Sequence, residues 1–327
     1  MQQVSGAGKD SLTTFLKDNS DFRVYDYSQL RVWFQCHAKY NAVYRHHIPD
    51  PAGIAAAYSE HVTHPMTVAW FSERPAPPDA PWDRMLLLKI PDWIKAFKRA
   101  IHEGSTTGRM RASTADLHLY SATTAEKLAY GLTRSFNTLP ADVYELLDSE
   151  KIRWITLPDV PNAIWIAKPD AVLRRREDGA IGTVETKMSK YDFNSDMVSF
   201  DGQLLSQAYT TKAEFQFKLF FHAWVVNSRV VKSLAKSGPP SVNVELHMNL
   251  KQVDTTLLSE WLDETQTVIS HIQHADKTNV WPKNAPGACH DFNRPCLMID
   301  ICALGKGLRS FALENVEKAN PLDYLGL

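Results

Sequence analysis

Two stretches constrain this chain most: 164–173, Ile-Trp-Ile-Ala-Lys-Pro-Asp-Ala-Val-Leu, and 182–187, Gly-Thr-Val-Glu-Thr-Lys. Each reads as a short β-strand, and the polar Arg-Arg-Arg-Glu-Asp-Gly segment between them reads as a turn. Successive side chains along a strand point to opposite faces, so Glu185 and Lys187 share a face and Thr186 points away. A fold that pairs the two strands brings Asp170 beside Glu185, with Lys187 one pleat further on. Two carboxylates, with water completing the shell, suit Mg²⁺ or Mn²⁺ and not zinc. The backbone carbonyl of Thr186 can turn toward the same ion. Such an ion would offset charge on a phosphodiester and help generate hydroxide. Lys187 beside it would orient or deprotonate the water. The competing reading is a solvated sheet face on which Glu185 and Lys187 form an ordinary ion pair.

The rest of the chain must supply a core for that hairpin. At 327 residues, 44% hydrophobic and 22% charged, it has the length and composition of an ordinary globular protein. A net charge of −1 excludes a grossly basic nucleic-acid binder but leaves room for a local basic patch. No apolar run is long enough to span a bilayer, and the first ten residues lack the apolar core of a signal peptide. The expectation is a cytoplasmic protein with no membrane association. Gly6, Gly8 and Lys9 superficially suggest a phosphate loop, but Asp10 stands where a hydroxyl residue is needed, so a flexible N-terminus is the better reading.

Cysteine usage is the second constraint. Cys36 stands alone near the start, and Cys289, Cys296 and Cys302 cluster near the end. Disulfides are disfavoured in a reducing compartment, so such a cluster points to metal. Four thiolates fit an iron–sulfur cluster or a structural zinc; four unrelated buried thiols are the alternative.

Three segments together resemble a known family. Tyr27-Ser-Gln-Leu-Arg-Val-Trp-Phe-Gln-Cys36-His-Ala-Lys-Tyr40 is similar to the cysteine-bearing helix that opens RecB-like nucleases. The stretch 164–187 resembles the PD-(D/E)XK core, and Phe200-Asp-Gly-Gln203-Leu-Leu-Ser-Gln207-Ala-Tyr209 resembles the glutamine-bearing helix that follows it. With the late cysteines, the order of elements over residues 25–305 is that of AddB-type and CRISPR-associated exonucleases and phage-encoded relatives. The resemblance implies an α/β restriction-endonuclease-like core, a central mixed sheet flanked by helices. It also implies a 4Fe–4S cluster on Cys36, Cys289, Cys296 and Cys302, stapling the N- and C-terminal segments together. The family's first late gap is usually shorter than the six residues found here, which keeps zinc open as the alternative.

The resemblance further implies catalytic roles for Gln203 and Tyr209 beside Asp170, Glu185 and Lys187. Gln207, four residues from Gln203 on the same helical face, has equal reach. The family's upstream metal-binding histidine is assigned to His118, with His102 as runner-up. Arg174, Arg175 and Arg176 are candidates for phosphate contacts and Tyr40 for base stacking. Trp165 shares the stacking candidacy, against core packing. The implied activity is that of a DNA exonuclease on single strands or duplex ends, serving recombination, repair or phage DNA processing. Any helicase or recombination partner would be a separate chain, and the oligomeric state is open. The alternatives are a catalytically inactive nuclease fold kept as a DNA-binding or assembly module, and a zinc-stapled structural protein.

Pattern and breakers give the following order. A flexible segment spans 1–24. A helical region covers 25–114, with helices at 28–47 and at 84–104, the latter broken at Pro91. The nuclease core covers 115–280. It has helices at 115–136 and 141–150, and strands near 152–157, 163–174 and 180–187. A helix at 200–213, strands at 217–227 and 242–250, and a long helix at 254–275 complete it. The three-cysteine segment covers 281–305 and a tail 306–327.

Overall fold

A computed structural model describes residues 3–48, 52–72, 82–107, 110–111, 119–121, 124–136, 139, 141–189, 201–225, 242–282, 290–291, 294–296, 298–304, 306–315 and 318. Its strands, in chain order, are β1 Ser5–Ala7, β2 Arg23–Tyr25, β3 Ala52–Gly53, β4 Met110–Arg111, β5 Tyr144–Ser149, β6 Arg153–Thr156 and β7 Ala163–Ala167. They continue with β8 Ala171–Arg175, β9 Ile181–Ser189, β10 Phe215–Val225, β11 Val242–Gln252, β12 His290–Asp291 and β13 Arg294–Pro295. The architecture is α/β, with two mixed sheets and flanking helices. The chain divides into two compact units, each assembled from separated stretches.

The first unit is Met1–Asp50, Ile152–Ala167 and Asp254–Leu327. Its sheet runs β1-β6-β7-β2, antiparallel except for the parallel β7–β2 pair. The segment expected to be a flexible N-terminus supplies edge strand β1 and the helix Lys9–Asp18. The cause is apolar burial: Leu12 is buried against Trp154, Ile164 and Ile166, with Phe15 and Phe22 packed beside them. Trp165 meets Trp261 of the long helix Thr255–Thr278 edge-on at 5.4 Å. That helix is N-capped by Asp254, whose carboxylate accepts from Thr256 N and Leu257 N. Near its other end Asp276 accepts from Arg45 Nε and Arg23 Nη1, both at 2.6 Å.

The second unit is Pro51–Lys151 and Lys168–Val253. Its sheet runs β11-β10-β9-β8-β5. β8 and β9 form an antiparallel hairpin, β9 and β10 are parallel, and the helix Gly202–Thr211 is the crossover between them. Gly179, at φ 78°, completes the hairpin turn, a conformation that costs a side-chain-bearing residue more. Gly182 is required for a second reason: the Phe215 ring lies where its Cβ would be. The helices His64–Ser72, Trp82–Thr106 and Thr124–Phe136 enclose one core with the sheet. Tyr58, Trp70, Phe97, Phe136, Phe217 and Phe221 are among its largest buried side chains.

Several expected elements differ. The helix expected at 28–47 is interrupted at Cys36, whose backbone is extended, giving helices Tyr27–Gln35 and His37–Tyr40 and then a π-helical turn Asn41–Arg45. The run 163–174 is not one strand: it breaks at Lys168-Pro169-Asp170, so that β7 joins one sheet and β8 the other. Proline cannot donate to a ladder, so the strand does not continue through it. The segment 141–150 forms one turn of 3₁₀ helix and then β5, not a helix, because Tyr144 and Leu146 pack into the core from a strand. The helix expected to break at Pro91 continues through it from Trp82 to Thr106, and Leu86, Ile90, Ile94 and Phe97 bury one continuous stripe.

Candidate active site

The hairpin β8–β9 holds the site at its open end. Ala171 pairs with Val184, so Asp170, one residue earlier, comes level with Glu185. Asp170 is fixed by the backbone: Thr186 N donates to its Oδ2 at 2.6 Å. On β9, Val184 packs into the core and Thr186 Oγ1 lies 3.3 Å from Thr67 Oγ1 on one face. Glu185 and Lys187 project from the other, as the pleat requires. Lys187 Nζ pairs with Glu185 Oε1, and Gln207 Nε2 donates to Glu185 Oε2 at 2.5 Å.

Gln207 makes this contact, and Gln203 makes none with Glu185 in what the structure records. The backbone N of Gln203 is instead capped by Asp201 Oδ1 at 3.0 Å, which places Gln203 in the first turn of its helix. Tyr209 is half-buried and sits two residues past Gln207, roughly 200° around the helix. The Oε1 of Gln207 is buried and has no hydrogen-bond partner among the described residues. It is a free acceptor beside the carboxylates.

Sequence reading missed two members. His64 opens its helix just after a π-helical turn, Ser59–Thr63. Its Nε2 lies 3.4 Å from Asp170 Oδ2 and its Nδ1 lies 2.8 Å from Glu150 Oε1. Glu150 is also paired with Lys168. Glu150 has φ 54°, a costly left-handed conformation for a non-glycine residue, and its N–H reaches the carbonyls of Pro169 and Asp170 at 3.1 and 3.3 Å. The strained residue is thus tied to the loop that presents Asp170. His118 falls outside the described residues, and His102 is exposed on the helix Trp82–Thr106. Nothing in the local sequence sets His64 apart, apart from a π-helical turn that sequence pattern does not reveal.

Electrostatics separate the members. Burial, followed by the charge of Glu185, pushes the Asp170 carboxyl up to about 7, against the pull of His64, Lys187 and the Thr186 amide. Burial acts to raise Glu150 too, but hydrogen bonds from His64 and Lys168 overcome it and hold Glu150 at about 2. His64 is pulled down by burial but ends above the ordinary imidazole value, because Glu150 and Asp170 favour its cation. Lys187 likewise ends above its ordinary value: burial lowers it, and the Glu185 charge more than compensates. Lys187 therefore keeps its proton at neutral pH.

The donor set fits a divalent cation. His64, Glu150 and Asp170 place ligand atoms within 4.8 Å of one another, and Glu185 lies alongside. If Nε2 of His64 faces an ion, Nδ1–H donates to Glu150, the carboxylate–histidine pairing usual behind metal ligands. An imidazole beside carboxylates suits Mn²⁺ better than Mg²⁺.

The remaining expected residues lie elsewhere. Arg174 bonds Glu145 across the sheet at 2.9 Å, and Arg175 bonds Asp178 and covers the Phe215 ring. Arg176 is exposed. All three sit at the turn end, more than ~10 Å of strand from Asp170. Tyr40, expected to stack bases, is fully buried, donates to Gln29 Oε1 at 3.1 Å, and packs against Trp33 and Trp281. A ring inside the first unit's core has no face left for a base; the aromatic run signalled packing. Trp165 is buried in the same way.

Cys36, Cys296 and Cys302 are half-buried in the first unit, and Cys289 lies outside the described residues. Cys296 and Cys302 pack with Ala42, Ile48, Met298 and Leu313, and Met298 N donates to Cys296 Sγ at 3.4 Å. No cysteine joins a close-packed ligand group among the described residues. Also among the described residues, no helix is long and apolar enough to cross a membrane.

No family model matches the chain. No curated protein matches it. Among solved structures, the crystal structure of LHK-Exo in complex with dAMP aligns at 13% identity, over 69% of this chain and 98% of that one, with a TM-score of 0.23. A likeness that weak carries no weight for fold or activity, so the site is read from its own geometry.

Proposed function

We propose that this chain is a metal-dependent deoxyribonuclease with a PD-(D/E)XK-type core. It would hydrolyse phosphodiester bonds of single-stranded DNA or duplex ends, as an exonuclease. The observation that carries this reading is the buried pair Asp170 and Glu185, set side by side with Lys187 and His64 around them. Burial and, after it, repulsion from Glu185 raise the Asp170 carboxyl. A divalent cation would offset that repulsion, and strongly perturbed buried carboxyls of this kind cluster at functional sites.

Asp170, Glu185 and His64, with the Thr186 carbonyl, would hold Mn²⁺ or Mg²⁺, which supplies charge to offset the scissile phosphate and acidify water. Glu150 would fix the tautomer of His64. Lys187, being protonated, orients the attacking water as a hydrogen-bond donor and does not deprotonate it. Gln207 holds Glu185 in place against the crossover helix. In the reaction the water oxygen forms a new bond to phosphorus, the ester P–O bond opposite it breaks, the water proton passes to solvent, and the departing sugar oxygen is protonated.

The four cysteines are assigned to a 4Fe–4S cluster that staples the first unit, with zinc as the alternative occupant. Two features support this: three of the cysteines belong to one compact unit, and an amide donates to the Cys296 sulfur, as around cluster thiolates. Replacing Cys296 with Ser should lower iron content and melting temperature together. A helicase or recombination partner on another chain and a cytoplasmic setting accompany this reading.

The test is degradation of end-labelled linear DNA and covalently closed single-stranded circles with Mn²⁺ or Mg²⁺. Loss of linear DNA only, abolished by Lys187→Ala, is the expected result. Cleavage of circles as well would make the enzyme an endonuclease. No cation-dependent cleavage of either would overturn the assignment.

A further inference from the structure

The antiparallel pair β10–β11 carries a second group of metal-ligating side chains. His222 stands directly opposite Glu245, and His247 follows two residues later on the same face. Ligand atoms of the three lie within 4.8 Å of one another, and Glu245 Oε1 is 3.8 Å from His247 Nε2. Tetrahedral zinc with bonds of ~2.0–2.1 Å needs its ligand atoms ~3.4 Å apart, so closure takes only small side-chain rotations. The backbone under them is rigid: an uninterrupted ladder pairs Phe215–Val225 with Val242–Gln252. Opposite His247 stands Phe220, whose ring centroid lies 6.4 Å from the imidazole. Glu245 is 57% exposed and His247 35%, so an ion has a path in from solvent.

We propose that His222, Glu245 and His247 form a second metal site, one that takes zinc-class divalent cations. Two imidazoles and one carboxylate are the donor set of three-ligand zinc sites, which leave a fourth position open to water or an anionic oxygen. Two nitrogen donors make it softer than the carboxylate-rich site at Asp170 and Glu185, so it favours Zn²⁺ and Co²⁺ over Mg²⁺. It is also a distinct site. His247 is separated from Lys187 by Phe220 in the register of three adjacent strands, about 10 Å across the sheet. The site does not depend on the nuclease reading. An ion there would pin edge strand β11 to β10.

The test is competitive zinc titration of the full chain against a chromophoric chelator, in excess Mg²⁺. Wild type, His222→Ala/His247→Ala, Glu245→Gln and Asp170→Asn are compared. The double variant should bind one zinc fewer per chain than wild type. Glu245→Gln, a change at an exposed position, should weaken that zinc without altering the circular dichroism spectrum, and Asp170→Asn should retain it. Co²⁺ should give visible absorption that the double variant loses. Only the difference between variants is read, so zinc held by cysteines does not enter. Equal zinc in wild type and the double variant, or loss of the same zinc in Asp170→Asn, would overturn the proposal.

Discussion

The two ends of the β8–β9 hairpin use the same residue types to opposite effect. At the turn end, Arg174 with Glu145 and Arg175 with Asp178 pair opposite charges in the open, with Arg174, Glu145 and Asp178 more than 40% exposed. Such pairs are screened, and each contributes little. At the open end, Asp170 and Glu185 are buried, 5% and 1% exposed, and carry like charges. One end is a solvated surface in equilibrium with water. The other stores electrostatic repulsion that a divalent cation would relieve, which is why it reads as the working end.

The sharpest way to break that contrast is at Lys187. Lys187→Ala should lower the cleavage rate by about 10²–10³-fold, the usual range for removing one preorganised hydrogen-bond donor. The fold should survive, because the Lys187 side chain is 43% exposed and packs no core. Cleavage rates and circular dichroism on the same preparation check both halves. A loss under about tenfold would place the chemistry elsewhere.

Asp170→Asn should also abolish cleavage, yet raise the melting temperature of the metal-free protein. The folded Asp170 titrates at about 7, above its ordinary value of 3.8. Between these values the folded protein holds a proton that the unfolded chain has released, so metal-free stability falls as pH rises through that window. Asn removes the dependence. Glu150 has the opposite sign: held at about 2, below its ordinary 4.5, it contributes stability above that ordinary value and loses it as pH falls toward 2. Melting curves from about pH 2 to pH 8, the span that covers both windows, should show the two slopes. A melting temperature for Asp170→Asn at or below wild type near neutrality would mean the pair is not under strain.

Glu150→Gln tests the histidine that sequence reading overlooked. Glutamine keeps the size of the side chain but loses the charge that favours the His64 orientation. Affinity for Mn²⁺ should drop by about 10–100-fold, as for other groups standing behind a ligand. Calorimetric titration measures it. Unchanged affinity would remove His64 from the metal site.

What was legible follows from this. Asp170, Glu185 and Lys187 could be read because period-two alternation and one hairpin turn fix their relation within eighteen residues of chain, 170 to 187. His64 and Glu150 could not, because their approach to Asp170 depends on a π-helical turn, a left-handed residue and contacts that only the tertiary structure creates. Gln203 and Gln207 share a helical face, so phase could not choose between them; which turn stands level with Glu185 depends on how the helix docks on the sheet. The break at Pro169 was visible as a residue, but its consequence, one apolar run serving two sheets, was not. Tyr40 misled because an aromatic run signals burial as readily as stacking.

The smallest expected effect lies at the other end of the hairpin. Arg174→Ala removes a cross-strand pair with Glu145 in which both side chains are over 40% exposed. It should change stability by less than ~1 kcal/mol, since side-chain entropy and screening consume most of an exposed pair's attraction. If Arg174 instead contacts DNA phosphates, the stability change will be equally small but cleavage will weaken, and the slope of binding against salt will fall by about one. Cleavage and salt dependence unchanged from wild type would confine the working surface to the open end. A shallower salt slope would extend that surface along the strand to the turn, and the solvated pair would then be a resting state from which Arg174 is released when DNA binds.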